Sequence, residues 1–288
     1  MNDKIVVITG ANSGIGKETG KVLAQMGATI IMICRNRERG EEALQEIKEK
    51  SQSENVELII ADLEDPESIR QAVIQFKGKY DKLHVLINNA GLMLNKKELT
   101  SLGYEKTFAI NHLGHFFLTK LLLDILLKSA PARIINVSSE AHRYANLKLD
   151  DINMKKYKGF RAYSNSKLAN ILYTYELARR LEGTGITVNA LHPGFVKTNF
   201  GNHGVKKYLK PFYKFITLFA MNVEKGAKTS IYLASSSEVE NITGKYFIKS
   251  KSVKSSEISY NLELQKKLWQ ISEGIFAETD IKLIHSTT

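Results

Sequence analysis

The sequence predicts an α/β fold in which a seven-stranded parallel sheet is doubly wound, with helices on both of its faces. Short apolar runs rich in β-branched residues alternate along the chain with longer amphipathic stretches. Such runs are typical of parallel strands buried on both faces, and the alternation is typical of right-handed crossover connections. A glycine-rich turn joins the first apolar run to the first amphipathic stretch. The sequence has no repeats, low-complexity tracts or linkers, so we predict a single domain over residues 1–288.

Each element is predicted from its periodicity and its boundary residues. Strands are predicted at residues 4–9, 29–34, 56–61, 83–88, 133–138, 186–191 and 245–248. Helices are predicted over residues 17–26, 39–50, from 66 onward, 104–128, 160–182, 225–234 and 261–273. Pro66 marks a helix start, because the first helical residue needs no N–H donor. In such a sheet the ligand is expected at the carboxyl edge of the strands.

Composition indicates a protein of a reducing compartment. The hydrophobic fraction of 43% is sufficient for a sizeable core. The single cysteine, Cys34, excludes an internal disulfide. Met1 to Lys4 leads directly into the first strand, and no uninterrupted apolar run reaches the roughly 18 residues that suggest a membrane span. We therefore expect neither a signal peptide nor a transmembrane helix, and a cytoplasmic rather than a secreted protein.

The chain is basic, with 41 lysines and arginines against 30 acidic residues and a net charge of +11. A basic surface can attract anionic membranes, nucleic acid or phosphorylated cofactors. The lysines are scattered and no nucleic-acid-reading module is present, so a solvated lysine-rich surface is the favoured interpretation. No His, Cys or carboxylate cluster has the spacing of metal ligands, and we expect no metal site.

The glycine-rich turn predicts dinucleotide binding. Gly10 permits a tight turn, Gly14 lets a pyrophosphate approach the backbone, and Gly16 allows the helix to pack closely on the strand. The N-terminus of the following helix presents free N–H groups and a positive dipole end to the phosphates. Glycine-rich turns of ordinary βα units are the alternative. The residues expected at the cofactor are Gly10, Asn12, Ser13, Gly14, Ile15 and Gly16.

Tyr163 and Lys167 form the candidate acid–base pair. Their spacing places both side chains on one face of a helix, about one turn apart. A phenol normally titrates near pH 10, and a nearby ammonium favours the phenolate and lowers its pKa. The pair is therefore predicted to donate and accept protons close to neutral pH.

Taken together, these motifs resemble those of the short-chain dehydrogenase/reductase family, over residues 4 to about 269. The matching pieces stand in the family's order and are Thr9–Gly16, Asp62-Leu63, Asn88–Gly91, Asn111, Ile135–Ser139, Tyr163–Lys167 and His192–Gly194. The stretches Cys34–Asn36, Asn111–Phe116 and Ser166–Asn170 look like the retinol dehydrogenase branch, which also includes the oxidoreductase domain of WW-domain oxidoreductases. The resemblance implies a Rossmann fold and an oxidoreductase that moves a hydride between a nicotinamide and a carbonyl or alcohol.

The resemblance also implies roles for four residues. Tyr163 would exchange a proton with the substrate oxygen. Lys167 would lower the pKa of Tyr163 and bind the nicotinamide ribose. Ser139 would hold the substrate oxygen. Ser138 competes for that role, but adjacent strand residues point to opposite faces, and the family pattern favours the second serine. Asn111 would help bind a water that relays protons through the lysine. The alternative for Asn111 is an incidental polar helix residue.

Two histidines invite a general-base interpretation, which we do not adopt. His192 precedes Pro193-Gly194 and is interpreted as structural. His142 is expected near the mouth of the pocket or in the loop that follows Ser139.

Cofactor choice depends on the end of the second strand. NAD-binding Rossmann proteins usually carry an acidic residue there, whereas this strand ends in Cys34-Arg35-Asn36. A guanidinium suits a 2′-phosphate, so Arg35 favours NADP(H) over NAD(H). Asp62 and Leu63 are expected to border the adenine. By the resemblance, Asn89, Ala90 and Gly91 border the adenosine ribose, and Pro193, Gly194, Val196 and Thr198 border the nicotinamide, with Tyr163 and Lys167 beside them.

Substrate identity is less constrained. An aromatic and basic stretch at residues 197–222 suggests a lid over a lipophilic substrate, and a plain amphipathic helix is the equal alternative. Retinal or retinol is suggested by the branch, and a lipid aldehyde or ketone is compatible with the residues. Peripheral membrane contact and a homo-oligomer are left open. The competing function is a catalytically weak NADP(H)-binding regulatory or interaction protein on the same fold.

Overall fold

A computed structural model describes residues 1–194 and 223–286, with side chains through residue 279. Within these ranges eight strands form one sheet in the order β3-β2-β1-β4-β5-β6-β7-β8. The strands are β1 (Ile5–Thr9), β2 (Thr29–Cys34), β3 (Val56–Ile60), β4 (Val85–Asn88), β5 (Ala132–Val137), β6 (Ile186–His192), β7 (Tyr246–Ile248) and β8 (Lys251–Val253). Strands β1 to β7 are parallel, which confirms the predicted doubly wound fold.

The helices cover both faces of the sheet. They are α1 (Gly14–Gln25), α2 (Arg37–Ser51), α3 (Pro66–Lys77), α4 (Lys106–Lys128), α5 (Gly159–Arg180), α6 (Val223–Ser235) and α7 (Leu262–Ser286). Because side chains alternate along each strand, the sheet divides the core in two. Val7 and Ile31 belong to the hydrophobic cluster between the sheet and helices α3, α4 and α5. Val6 and Ile30 face the cluster under α1, α2 and α6.

The predicted strand count of seven is wrong, because β8 pairs antiparallel with β7. Lys249 and Ser250 have φ values of 50° and 59°, and two successive left-handed residues make a tight hairpin turn. The residues of β8 are all exposed and show no apolar alternation. Periodicity therefore carries no signal for this edge strand.

Two helices differ from prediction in ways that matter. Helix α4 begins at Lys106, because the carboxylate of Glu105 accepts hydrogen bonds from the N–H groups of Thr107 and Phe108. The helix then contains a π-helical turn over Ala109–Leu113, which helical periodicity does not anticipate. Helix α7 continues to Ser286, well past the predicted end at residue 273.

Among the described residues, α4 is the one helix long and apolar enough to span a membrane. Most of its apolar window is buried inside the protein, as expected for a core helix of a doubly wound sheet.

The register of the sheet gathers the candidate motifs at one edge. Asn88 at the end of β4 pairs with Asn136 on β5, and Val137 pairs with Leu191 on β6. The glycine turn leaves β1 at the same edge, since Ile8 pairs with Ile87. The carboxyl ends of these strands therefore bring together segments that are far apart in the sequence.

Candidate active site

The glycine turn is closed too tightly for any side chain. Gly10 and Gly14 have φ values of +67° and +54°, in the left-handed region that favours glycine. A Cβ on Gly16 would lie 2.5 Å from Nδ2 of Asn89 and 2.6 Å from the carbonyl oxygen of Gly10. The backbone can take this path only without side chains at these positions.

The turn fits the pyrophosphate of a dinucleotide. Helix α1 begins at Gly14, and Ser13 before it is extended and makes no side-chain capping hydrogen bond. The first-turn N–H groups of α1, including that of Ile15, are thus directed at the turn, as in other anion-binding helix N-termini. Asn12 is half-buried beside them.

Cys34 ends β2 beside the same turn. Burial raises the pKa of its thiol to about 11, although backbone N–H groups of Ala11 and Asn12 oppose the shift. A thiol with this pKa stays protonated at neutral pH, so Cys34 is an unreactive core residue.

Arg35 and Asp62 lie together where a cofactor ribose is expected. Nη1 of Arg35 is 3.8 Å from Oδ2 of Asp62, and the Arg35 side chain is 60% exposed. An ion pair this long and exposed holds the guanidinium weakly. Oδ1 of Asp62 accepts from the N–H of Glu64, and Leu63 is buried against Gly114.

Thr9 holds the segment from Asn89 to Gly91 beside the glycine turn. Its Oγ1 accepts from the N–H groups of Asn89 and Ala90, each at 2.9 Å. Nδ2 of Asn89 donates to the carbonyl oxygen of Thr9 at 2.8 Å, so this side chain is directed at the protein. A Cβ on Gly91 would lie 3.3 Å from Oδ1 of Asn111 and 3.4 Å from Nζ of Lys167. A side chain at Gly91 would therefore contact two of the candidate catalytic residues.

Asn111 lies in the π-helical turn of α4 and is fully buried. Its Oδ1 accepts from the N–H of Leu92 at 2.8 Å, and its Nδ2 donates to the carbonyl oxygen of Leu92 at 2.9 Å. Nδ2 also lies 3.0 Å from Oγ of Ser166, which donates to the carbonyl oxygen of Tyr163. The amide thus links the segment after β4 to helix α5.

The two adjacent serines after β5 point in different directions. Oγ of Ser138 is buried and donates to the main-chain oxygen of Lys167 at 2.7 Å. Oγ of Ser139 accepts from the N–H of Ala141 and forms a hydrogen bond with Tyr163. The structure thus brings Ser139, and not Ser138, to the tyrosine hydroxyl.

Lys167 is buried beside the tyrosine ring. Its Nζ donates to the carbonyl oxygen of Val137 at 2.9 Å and lies 5.6 Å from the centroid of the Tyr163 ring. Burial lowers the pKa of Lys167 to about 8. Burial also raises the pKa of Tyr163 to about 12, against the opposing hydrogen bond from Ser139. The predicted shift of the Tyr163 pKa towards neutrality is therefore wrong for this arrangement, because desolvation of the phenolate outweighs the hydrogen bond from Ser139.

Both candidate histidine bases are structural. His142 is buried in a short 3₁₀ turn directly after Ser139, in the segment named as one of its two expected places. Its Nδ1 donates to the carbonyl oxygen of Ser139 at 2.7 Å, and its Nε2 accepts from the N–H of Ser256 at 2.9 Å. Burial lowers the pKa of His142, and lowers that of His192 to about 4. Both rings are neutral at pH 7, and His142 has both nitrogens engaged.

The remaining predicted residues follow β6. Pro193 and Gly194 come directly after its last residue, and Gly194 has a φ of +91°. Val196, Thr198 and the suggested lid at 197–222 lie outside the described residues. In the part of the chain that is described, no three His, Cys, Asp or Glu residues are grouped to hold a metal ion.

Three further residues are buried at the site although no motif predicts an individual role for them: Thr9, His115 and Ser166. Their positions in the chain could have indicated them, since Thr9 ends β1 and His115 follows Asn111 by one helical turn.

Known proteins share the fold and a large part of the sequence. The family model described as short chain dehydrogenase matches residues 4–208. Human retinol dehydrogenase 14 is 44% identical over 95% of this chain and 86% of its own length. Mouse retinol dehydrogenase 12 is 42% identical over 93% of this chain and 85% of its own.

Solved structures agree. An uncharacterized Mycobacterium paratuberculosis protein superposes with a TM-score of 0.77 and 33% identity, covering 96% of this chain and 94% of its own. Pseudomonas aeruginosa RhlG, solved with NADP, has a TM-score of 0.70 and 25% identity, covering 86% and 94%. The chain is a member of the short-chain dehydrogenase/reductase family, an oxidoreductase of alcohols and carbonyls similar to the retinol dehydrogenases.

Proposed function

We propose that the protein is an NADP(H)-dependent oxidoreductase acting on the carbonyl or alcohol group of a lipophilic small molecule. The observation that carries the proposal is the convergence of Ser139, Tyr163 and Lys167 at the carboxyl edge of the sheet, beside the glycine turn. A protein that only senses a dinucleotide has no need of a hydrogen-bonded phenol at this place.

The bound cofactor would supply or accept the hydride at the substrate carbon. The first-turn N–H groups of α1 would hold its pyrophosphate. Lys167 would bind the nicotinamide ribose, and Gly194 follows β6 on the side where the nicotinamide is expected.

Tyr163 is the proposed proton donor in carbonyl reduction. With a pKa of about 12 the phenol is fully protonated at pH 7, so it can donate to the oxygen on which charge develops. Ser139 would donate a second hydrogen bond to that oxygen and stabilise its charge. In alcohol oxidation the phenolate form of Tyr163 would accept the proton. Asn111 would hold the water through which Lys167 exchanges protons.

Cofactor preference rests on Arg35. Its guanidinium is largely exposed and only loosely paired with Asp62, so it is free to bind a 2′-phosphate. RhlG, which shares the fold, was solved with NADP, and this supports NADP(H) as the cofactor.

The lipophilic substrate class is supported by the relatives' names and by the surface near Tyr163. Phe160 precedes Tyr163 by one turn of α5, and its ring lies 5.9 Å from that of Tyr144. Phe160 is 55% exposed and Tyr144 is 70% exposed. Retinal or retinol, or a lipid aldehyde or ketone, would suit an entrance with this character.

The same surface supports peripheral contact with an anionic membrane. Lys158 and Arg161 flank Phe160 and are both exposed. Exposed aromatic rings beside cations suit the interface between headgroups and acyl chains. We call Tyr144, Lys158, Phe160 and Arg161 the entrance patch.

The proposal is tested with a panel of aldehydes and ketones, including retinal, and with NADPH consumption followed at the nicotinamide absorbance. Turnover of a lipophilic carbonyl with NADPH is expected. Tight NADPH binding with no turnover of any member would instead favour the regulatory protein.

A further inference from the structure

His115 is a buried histidine that the proposed chemistry does not use. It lies on α4 one turn after Asn111 and is 2% exposed. Its two ring nitrogens contact two different parts of the site. Nε2 is 2.9 Å from Oγ1 of Thr9, and Nδ1 is 3.1 Å from the main-chain oxygen of Asn111.

The hydrogen-bond inventory decides which nitrogen carries the proton. Oγ1 of Thr9 accepts from the N–H groups of Asn89 and Ala90, which occupy its lone pairs. Its hydroxyl proton is therefore left to donate, and the His115 nitrogen at 2.9 Å is a better acceptor than the carbonyl oxygen of Ile87 at 3.5 Å. Nε2 of His115 is thus an acceptor, so Nδ1 carries the proton and donates to Asn111.

The ring is also kept neutral. Burial lowers the pKa of His115 to about 3, and the neighbouring charge of Lys167 contributes in the same direction. A cationic ring would present a donor at Nε2 to the Thr9 hydroxyl, in place of the acceptor that the hydrogen bond needs. The neutral Nδ1–H tautomer is the form that satisfies both contacts.

Asn111 is consequently held from two sides. Leu92 holds its side chain, and His115 holds its main-chain oxygen inside the π-helical turn. Through Thr9, the same imidazole is connected to the end of β1, where the glycine turn begins.

We propose that His115 is a positioning residue that couples the cofactor turn to the proton-relay end of the site by fixing the Asn111 carbonyl. The inference rests on the proposed function, because Asn111 matters only if protons move through Lys167. Of the two contacts of His115, the hydrogen bond to Asn111 is expected to affect turnover. Cofactor affinity is expected to depend on the hydrogen bond to Thr9 alone.

Substitution of His115 by asparagine or by glutamine separates its contact with Asn111 from its contact with Thr9. His115→Asn places an N–H donor close to the Nδ1 position and keeps the bond to Asn111, whereas His115→Gln reaches the Nε2 position and keeps the bond to Thr9. We expect His115→Gln to lower kcat by about 10- to 100-fold with NADPH affinity retained, as for displaced catalytic geometry. His115→Asn should keep most of the wild-type kcat and bind NADPH more weakly.

The readouts are kcat, KM, NADPH affinity and melting temperature on the full chain. Equal kcat in both variants, or losses that follow melting temperature alone, would show that His115 is only a core residue. A wild-type chain that turns over no carbonyl would instead overturn the proposed function, and this inference with it.

Histidine ¹⁵N NMR of the wild-type protein provides a test that needs no variant. A neutral His115 protonated at Nδ1 is expected at pH 7. A ring protonated at Nε2, or one that titrates near neutrality, would overturn the proposal.

Discussion

Nζ of Lys167 donates a 2.9 Å hydrogen bond to the main-chain oxygen of Val137, the last residue of β5. This bond joins helix α5 to the sheet edge beneath the site. The same carbonyl oxygen accepts from Nδ2 of Asn170 at 3.3 Å, one turn further along the helix. The face of α5 that carries Lys167 is therefore anchored by backbone contacts that do not depend on any ligand.

Removal of one hydroxyl tests the proton donor. Tyr163→Phe should lower carbonyl reduction on the order of 10²- to 10⁴-fold, because the ring remains and only the acid is lost. NADPH affinity should be unchanged in a fluorescence titration. Tyr80→Phe is the matched control, since that hydroxyl bonds to Glu57 at 2.6 Å, on the surface beside β3. Near-native turnover by Tyr163→Phe would exclude Tyr163 as the donor.

The buried ammonium predicts how stability depends on pH. The pKa of Lys167 is about 8 in the folded protein, against 10.5 for an ordinary lysine, so at a pH between these two values the unfolded chain binds the extra proton. Stability from this group therefore rises as the pH increases above 8, up to about 10, where tyrosines of raised pKa such as Tyr163 begin to oppose it.

Lys167→Met should remove the rise in stability above pH 8 and abolish turnover. The carbonyl of Val137 keeps Asn170 as a donor, so the variant is expected to fold. Urea unfolding at pH 7 and pH 9.5 measures the effect. An identical pH dependence in wild type and variant would show that Lys167 is not the titrating group.

Two glycines of α1 form a matched pair. A Cβ on Gly16 would lie 2.6 Å from the carbonyl oxygen of Gly10, whereas the nearest atom to a Cβ on Gly20 is 3.5 Å away. Gly16→Ala should displace the turn, cost about 1–3 kcal/mol of stability and weaken NADPH binding. Gly20→Ala should be neutral, or stabilise the helix by about 0.5–1 kcal/mol. Thermal melts and NADPH titrations provide the comparison, and equal behaviour of the two variants would contradict the close approach.

Arg35→Ala tests recognition of the 2′-phosphate. Loss of a charge-assisted contact should weaken NADPH binding by about 1.5–3 kcal/mol, with little change for NADH, which lacks the phosphate. Arg37→Ala is the control, because Nη1 of Arg37 pairs with Glu41 at 3.5 Å on the exposed surface of α2. Equal losses for both cofactors in Arg35→Ala, or the selective loss in Arg37→Ala instead, would rule out the assignment to Arg35.

The entrance patch predicts binding to lipid vesicles. Tyr144→Ser combined with Phe160→Ser should reduce co-sedimentation with vesicles containing phosphatidylserine, and added salt should weaken wild-type binding because cations contribute. Ile74→Ser is the matched control, since Ile74 is 57% exposed on α3, outside the patch. Vesicle binding by the double variant equal to that of wild type would remove the membrane role from this surface.

Much of the fold could be predicted because its signals are local. Apolar β-branched runs such as Ile5–Thr9, and the helix start at Pro66, express preferences of neighbouring residues. Strand β8 could not be predicted in this way. Its pairing depends on a turn at Lys249 and Ser250 and on the free edge of β7. Neither feature produces an apolar periodicity in the sequence.

The sequence by itself determined which residues could meet, since the spacing of Tyr163 and Lys167 and the order of the parallel strands direct them to one edge. The tertiary structure decided the protonation states of those residues. Burial in the folded chain raises the pKa of Tyr163, and the hydrogen bond to Thr9, more than a hundred residues away, sets the tautomer of His115. Burial and long-range hydrogen bonds are properties of the packed chain, so a linear pattern indicates the candidate residues and leaves their protonation open.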